Sequence, residues 1–588
     1  MRAPLVLVLA LVAWLPEPAG LVRAAAAQAI PAGRLAVLQA EARGGATARD
    51  LAAIRAGVGS GDPQTVRIAV RALGRLQKPA LIGDFSPPLR HSVPEIRAEA
   101  ANAIAQAAQG LRGDPKGGGS AAAAAAATLI ARLKIEEEPS VRAALCEAIA
   151  RIPYSRAADV ERAEAALLAA SANTTITDRL GVAKGFEALV RVNGSLGPTG
   201  APALEYLNDT VLSNSARSDA VSMRDVRVRR LALEALIATG SVPEATIDRA
   251  AADPDPQVRR LAMVAVAKSG RSAALAVSGV ADPAPMVRIE ALRALQERGH
   301  GDACDTSARA TRDRDLAVSL VAIDLLASCG VLPDAVATLE QTLGEPAAKP
   351  TSRVWQRGAH ALVALAAAAP DRARAALARF SASPASIARV YAAHAVARLD
   401  DRESLETFAR DADDRVANVA LAALGRPLRG PAAGADRPAA ILDATDLRRL
   451  AAPRARITIH DVGVIDVALF TAEAPATVLR FAEAAAAGAY KGRAFGRFSP
   501  GEFAQLGDVA WPESPASAGA EVGLWPHVRG SLAVLGPTDA AAPDFFFDIV
   551  DAPQLDHVYA VFGQVLNGID LLDQIAEGDL IESIEILP

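Results

Sequence analysis

A phrase recurs along most of this chain: a turn holding Asp or Pro, a few residues, then Val-Arg or Ile-Arg opening an apolar run. It reads Asp62-Pro63-Gln64-Thr65-Val66-Arg67, then Pro94-Glu95-Ile96-Arg97, and it returns at Val141-Arg142 and Val228-Arg229. The clearest copies start at Asp253 (DPDPQVRRLAMVAVA) and Asp282 (DPAPMVRIEALRAL), and looser ones at Ser383 and Asp411. The arginines at 67, 97, 229, 259 and 288 set a local period of about 30 residues. That length holds two short antiparallel helices and their turns. A single pair cannot bury its apolar face, so neighbours must stack. Asp caps free N–H groups and Pro fits a first helical turn, so the phrase opens a helix. Ala, Leu and Val dominate and only 4% of residues are aromatic, a composition suited to close-packed helices.

The repeats resemble the HEAT family in its short form over roughly residues 35–425, which implies an α-solenoid serving as a protein-binding scaffold. Two stretches break phase: 110–127, read as a flexible insertion, and 172–225, read as irregular. Residues 426–453 read as a linker with a short helix near Ala444–Leu450.

At the other end, Arg2 precedes an apolar run from Pro4 to Leu15, and small residues follow at Ala24–Ala27. This pattern reads as a signal peptide over 1–27, with an uncleaved anchor as the alternative. No later stretch of about 20 residues is apolar and uncharged, so no integral membrane span is expected after cleavage. The expected location is exported, periplasmic or extracellular. Sixty-two basic against 67 acidic residues give −5, which argues against nucleic acid as the main partner. No CxxC or HExxH motif appears, so no metal and no cofactor are expected. Cys146 reads as a buried apolar residue. Cys304 and Cys329 lie nearly one repeat apart, and the sequence leaves open whether they join.

After Arg454 the grammar changes. RARITIHDVGVIDVALF alternates about a turn at Asp461–Gly463, which predicts a β-hairpin, and nine of the thirteen Phe lie beyond this point. A helix is predicted at 474–487, short strands near Phe495, Phe503, Leu532, Phe545 and Val561, a helix near 568–576, and a last strand IESIEIL.

Residues 454–588 resemble cyclophilins. The block FGRFSPGEFAQLGD, from Phe495 to Asp508, matches that family's Phe-His-Arg block with its spacing intact, and RGSLAV, DFFFDIV and LDHVYAVFGQV follow in the family's order. The resemblance implies a closed antiparallel β-barrel with two capping helices, and peptidyl-prolyl cis-trans isomerase activity on proline-containing polypeptide clients. The family's catalytic arginine falls at Arg497 and its substrate-orienting glutamine at Gln505. The apolar pocket falls at Phe503, Phe546, Leu555 and Tyr559, the last where many members carry His. Four rim positions depart from the family: Glu502, Gly536, Asp544 and Gln554. Glu502 and Asp544 are placed to pair with Arg497 and blunt it, and Gln554 implies weak cyclosporin binding. The alternative reading is a barrel that grips proline segments without turnover, inside a scaffold protein.

Overall fold

The computed structural model describes residues 30–587 except 46, 113–117, 213–222, 270–272, 300–301, 331, 345–354, 430–441, 508–520 and 536–542. The expected signal segment over 1–27 lies outside the described residues, as do residues 430–441 of the linker, whose expected short helix stands at Ala444–Arg449.

The recurring phrase opens one layer of helices: α1 (Pro63–Arg75), α2 (Pro94–Ala108), α3 (Pro139–Arg151), α4 (Ile176–Asn193), α5 (Met223–Thr239), α6 (Pro256–Lys268), α7 (Pro285–Glu297), α8 (Leu316–Leu325), α9 (Trp355–Ala368), α10 (Ser386–Arg398) and α11 (Asp414–Ala423). Each packs on the next, and from α3 onward each is backed by a helix of a second layer, such as Glu244–Ala251 behind α6. Asp62, Asp255 and Asp315 cap α1, α6 and α8 through their side chains, as the turn chemistry requires. Small residues let the helices close up. A Cβ added to Gly181 of α4 would sit 2.3 Å from the Cα of Ala143 on α3.

The structure explains the arginine of the phrase. Arg259 donates through Nε and Nη2 to Asp282 of the following turn (2.8 and 2.9 Å), and through Nη1 to the carbonyls of Asp253 and Pro254 in its own turn. Arg288 does the same with Asp313, Asp282 and Pro283, and Arg389 with Asp411, Ser383 and Pro384. Each such arginine therefore joins two successive turns by bidentate, charge-assisted bonds.

Two expectations change. The alanine run at 121–127 belongs to a helix, Gly118–Leu133, whose Leu129 is buried against the array. Alanine has the highest helix propensity, which outweighs the flexible Gly residues before it. The stretch 172–225 holds α4 and the helix Ala201–Leu212 in the same alternation, with 213–222 outside the described residues. Cys304 and Cys329 form a disulfide with Cα atoms 5.9 Å apart, and Cys146 is free and buried. No described helix is long and apolar enough to cross a membrane.

The C-terminal part is a single antiparallel sheet: β1 (Arg454–Ile459), β2 (Gly463–Leu469), β3 (Phe495–Ser499), β4 (Phe503–Leu506), β5 (Ser531–Leu535), β6 (Asp544–Asp548), β7 (Ala560–Asn567) and β8 (Ile581–Leu587). The order is β3-β4-β6-β5-β7-β2-β1-β8. The sheet curls until its edges meet. Ala494 bridges Leu580, and Phe495 exchanges backbone bonds with Gly578 and Asp579. Helix α12 (Pro475–Ala486) packs on β8, and its first N–H groups are capped by the buried Glu521 carboxylate (3.0 and 2.7 Å). Where a second helix is expected near 568–576, a 3₁₀ segment, Ile569–Gln574, stands.

Candidate functional site

Alternation along β6 separates two apolar populations. Phe545 and Phe547 join the main core, together with Phe481, Tyr490 and Phe562. Phe546, between them, points the other way. It belongs to a separate cluster with Phe470, Ala533, Leu535, Tyr559 and Val561, against which Phe503, Trp525, Leu555 and Val558 pack.

Strand register carries that cluster toward the charged residues. Arg497 on β3 pairs with Gln505 on β4, Gln505 with Phe546 on β6, Phe546 with Ala533 on β5, and Ala533 with Val561 on β7. Directly paired residues share a face. One row therefore runs from an exposed guanidinium, over a fully buried amide, to an apolar floor. Tyr559 meets Phe546 edge to face at 5.8 Å, and Phe503 approaches it at 6.5 Å. Burial raises the Tyr559 hydroxyl above its ordinary pKa against the pull of the nearby Arg497 charge.

Three lining residues were not foreseen. Trp525 stacks on Phe470 at 4.2 Å, and it lies in a loop without pattern, so no sequence signal marks it. Ala533 follows from the register of β5 once Phe546 is placed. His527 lies buried behind Phe546, its ring parallel at 5.8 Å, with Nδ1 2.8 Å from Asp548. Burial pushes Asp548 up to about 6. Burial alone would lower His527, but the Asp548 carboxylate raises it, and the contact between the two pins the back of the cluster.

Residues 454–586 match the family model described as cyclophilin type peptidyl-prolyl cis-trans isomerase/CLD. A peptidyl-prolyl cis-trans isomerase of Helicobacter pylori strain J99 is 33% identical over 134 residues, spanning 21% of this chain and 83% of that protein. Its counterpart in a second Helicobacter pylori strain is 35% identical over 133 residues, spanning 21% and 80%. Peptidyl-prolyl cis-trans isomerase A of Dickeya dadantii is 33% identical over 128 residues, spanning 20% and 67%. The chain belongs to the cyclophilin-type isomerase family.

The cyclophilin domain departs from the sequence expectation at its rim. Neither acidic substitution pairs with Arg497. Asp544 bonds to Arg493, and Glu502 accepts from the Ser499 hydroxyl (2.5 Å) and lies 3.8 Å from Arg293 of α7. The reason is local geometry: each carboxylate meets a nearer donor first. Among the described residues no carboxylate pairs with Arg497. Gln554 is exposed, and Gly536 lies outside the described residues. No group of His, Cys, Asp and Glu among the described residues has the makings of a metal site.

The cyclophilin domain is also docked along the inner helices. Arg71 of α1 is fully buried, held by Glu41 and donating to the Ala472 carbonyl (2.5 Å). Arg75 donates to the carbonyls of Val522, Glu473 and Glu521. Burial would raise Glu41, but these two guanidiniums hold it below the usual carboxylate range. Farther along, Glu147 of α3 meets His557 at 2.6 Å, Arg230 of α5 meets Asp551 at 2.9 Å, and the Gln257 amide of α6 accepts from the Asp551 N–H at 2.7 Å. At the far end, Tyr391 of α10 donates to Glu577, and Gly578 lies so close to the Trp355 ring that an added Cβ would come within 2.7 Å of it.

Proposed function

We propose that this chain is an exported peptidyl-prolyl cis-trans isomerase whose cyclophilin domain is held by an array of HEAT-type repeats. The observation that carries the reading is the register row from Arg497 through Gln505 to Phe546. An X–Pro bond crosses between isomers over about 18–20 kcal/mol because amide resonance resists twisting. In the twisted state resonance is lost and the imide nitrogen becomes a hydrogen-bond acceptor. The cluster around Phe546 accepts the proline ring, Gln505 orients the neighbouring backbone, and the Arg497 guanidinium donates to that nitrogen. A fixed donor aimed at a group that accepts only in the transition state lowers the barrier without tightening either ground state.

The alternative of a proline-gripping module without turnover rests on Gly536 and on the two carboxylates Glu502 and Asp544. Their engagement with Ser499, Arg293 and Arg493 weakens it. Export is supported by the apolar N-terminal segment and by the Cys304–Cys329 disulfide, which suits an oxidising compartment. The repeats serve first as the domain's own holder, because their inner helices are occupied by it. Protein partners of the array would meet its remaining surface.

Exchange of a proline peptide, followed by NMR, tests the reading. Arg497→Ala is expected to slow the catalysed exchange by about a hundredfold or more. Equal rates for the variant and the unaltered protein would remove the catalytic assignment.

A further inference from the structure

We infer that the helical array shares in substrate selection: α7 holds Glu502 at the groove rim, where its carboxylate favours proline segments carrying a Lys or Arg beside the proline. The inference rests on the groove assignment above and specifies which segments that groove takes.

The turn Pro500–Glu502 leads directly into Phe503, a lining residue of the apolar cluster. Both of its ends are clamped. Gly501 is buried against Ile289 of α7, and Arg293 donates to the Pro500 carbonyl (3.3 Å). From the other side, the Ile549 N–H donates to the Glu502 carbonyl (2.8 Å). The backbone that carries the Glu502 side chain is thus shared between the array and the barrel.

The charges at this point do not cancel evenly. Arg293 Nη1 donates to Glu290 Oε1 at 2.8 Å, on its own helix, and stands 3.8 Å from Glu502 Oε1. The nearer carboxylate takes the hydrogen bond and most of the attraction, since Coulomb energy falls with distance and the closer pair is the more buried. Glu290 also has Arg260 at 3.9 Å. Among the described residues the Glu502 side chain receives a bond only from the neutral Ser499 hydroxyl, and it stays 49% exposed. It is a carboxylate with charge to offer. Asp544, the other acidic departure, is engaged by Arg493 and offers none. Arg497 keeps basic side chains away from its own end of the groove. A Lys or Arg next to the proline is therefore accommodated on the Glu502 side.

An exposed carboxylate–cation contact corresponds to about a twofold to fivefold effect at low salt. Exchange rates of otherwise identical peptides carrying Lys, Ala or Glu immediately before, or immediately after, the proline would be compared on the full-length protein. Lys peptides are expected to exceed Glu peptides by that factor, and the excess should shrink at high salt, where exposed charges are screened. Glu502→Gln should bring the Lys-to-Glu ratio near one, and Glu502→Lys should invert it. Arg293→Gln should raise the ratio, because the residual counter-charge is gone. A ratio near one in the unaltered protein, or one unmoved by Glu502→Gln, overturns the inference. A ratio unmoved by Arg293→Gln overturns the array's share in it. Failure to accelerate any peptide overturns the isomerase reading instead.

Discussion

The helical array and the barrel bury their interiors by opposite means. Array interiors are built mainly from alanines and aliphatic side chains, and in several repeats a phrase arginine reaches a carboxylate of a following turn. Barrel interiors are built from rings: Phe545 touches Phe481, Tyr490 and Phe547 with centroids 5.7–5.8 Å apart. Array contacts join neighbours in the sequence, whereas the barrel pairs Arg454 with Leu587, its two extremes. An array spreads its stability over many small equivalent contributions. A barrel concentrates it in a few large side chains, and the groove is cut into the concentrated part.

Substitutions that interrogate each means should rank accordingly. Phe545→Ala should cost about 3–5 kcal/mol in urea unfolding, because a ring cannot be replaced by relaxation of a closed sheet. A cost below 1 kcal/mol would break the contrast. Arg259→Ala removes two bonds to Asp282 and two to its own turn, and should cost about 1.5–3 kcal/mol. Arg259→Lys should recover little, since an ammonium cannot serve both turns with one planar fork. Ala262→Gly, in the buried stripe of α6, should cost about 1 kcal/mol. A loss as large as that of Phe545→Ala would show that the array, too, depends on single positions.

The smallest effect is expected at the seam between the two regions. His360 lies 2.8 Å from Asp324 and 3.0 Å from the Tyr391 hydroxyl, which donates to Glu577 of the barrel. These residues, with His394 and Arg398, line a cavity of about 320 Å³. Burial alone would lower His360, but Asp324 and Glu577 raise it. Its contribution is therefore complete below the ordinary histidine value of about 6.5 and is lost as pH rises through the higher folded value. Unfolding midpoints measured from pH 6 to 9 should show this decline, worth under about 1 kcal/mol, and His360→Gln should abolish it. A decline that persists in His360→Gln would assign it to other groups.

Much of this was legible in the residues themselves. The Val-Arg phrase marked the helix starts, because capping and apolar spacing act locally. The Phe495–Asp508 block marked the site, because its spacing survives intact. The partners of the phrase arginines were not legible, since each carboxylate lies well along the chain: Asp282 is 23 residues after Arg259, Asp313 25 after Arg288, and Glu136 39 after Arg97. Docking was not legible either. Nothing in the sequence sets Arg71 and Arg75 apart, and their barrel partners are mostly backbone carbonyls, which leave no mark in a sequence. For Glu502 and Asp544 the sequence pointed to Arg497, and only three-dimensional proximity brings Arg493 to Asp544 and Arg293 near Glu502.

The burial of Arg71 has a consequence for how the molecule comes into being. Its carbonyl partner at Ala472 is translated some 400 residues later, so a nascent array must wait with its docking guanidiniums, and the Ile289 and Trp355 side chains that meet the barrel, uncovered. Fragments that stop in the 426–453 segment would keep that face bare. They should associate or be retained by holding factors, while a chain that carries the barrel covers that face itself.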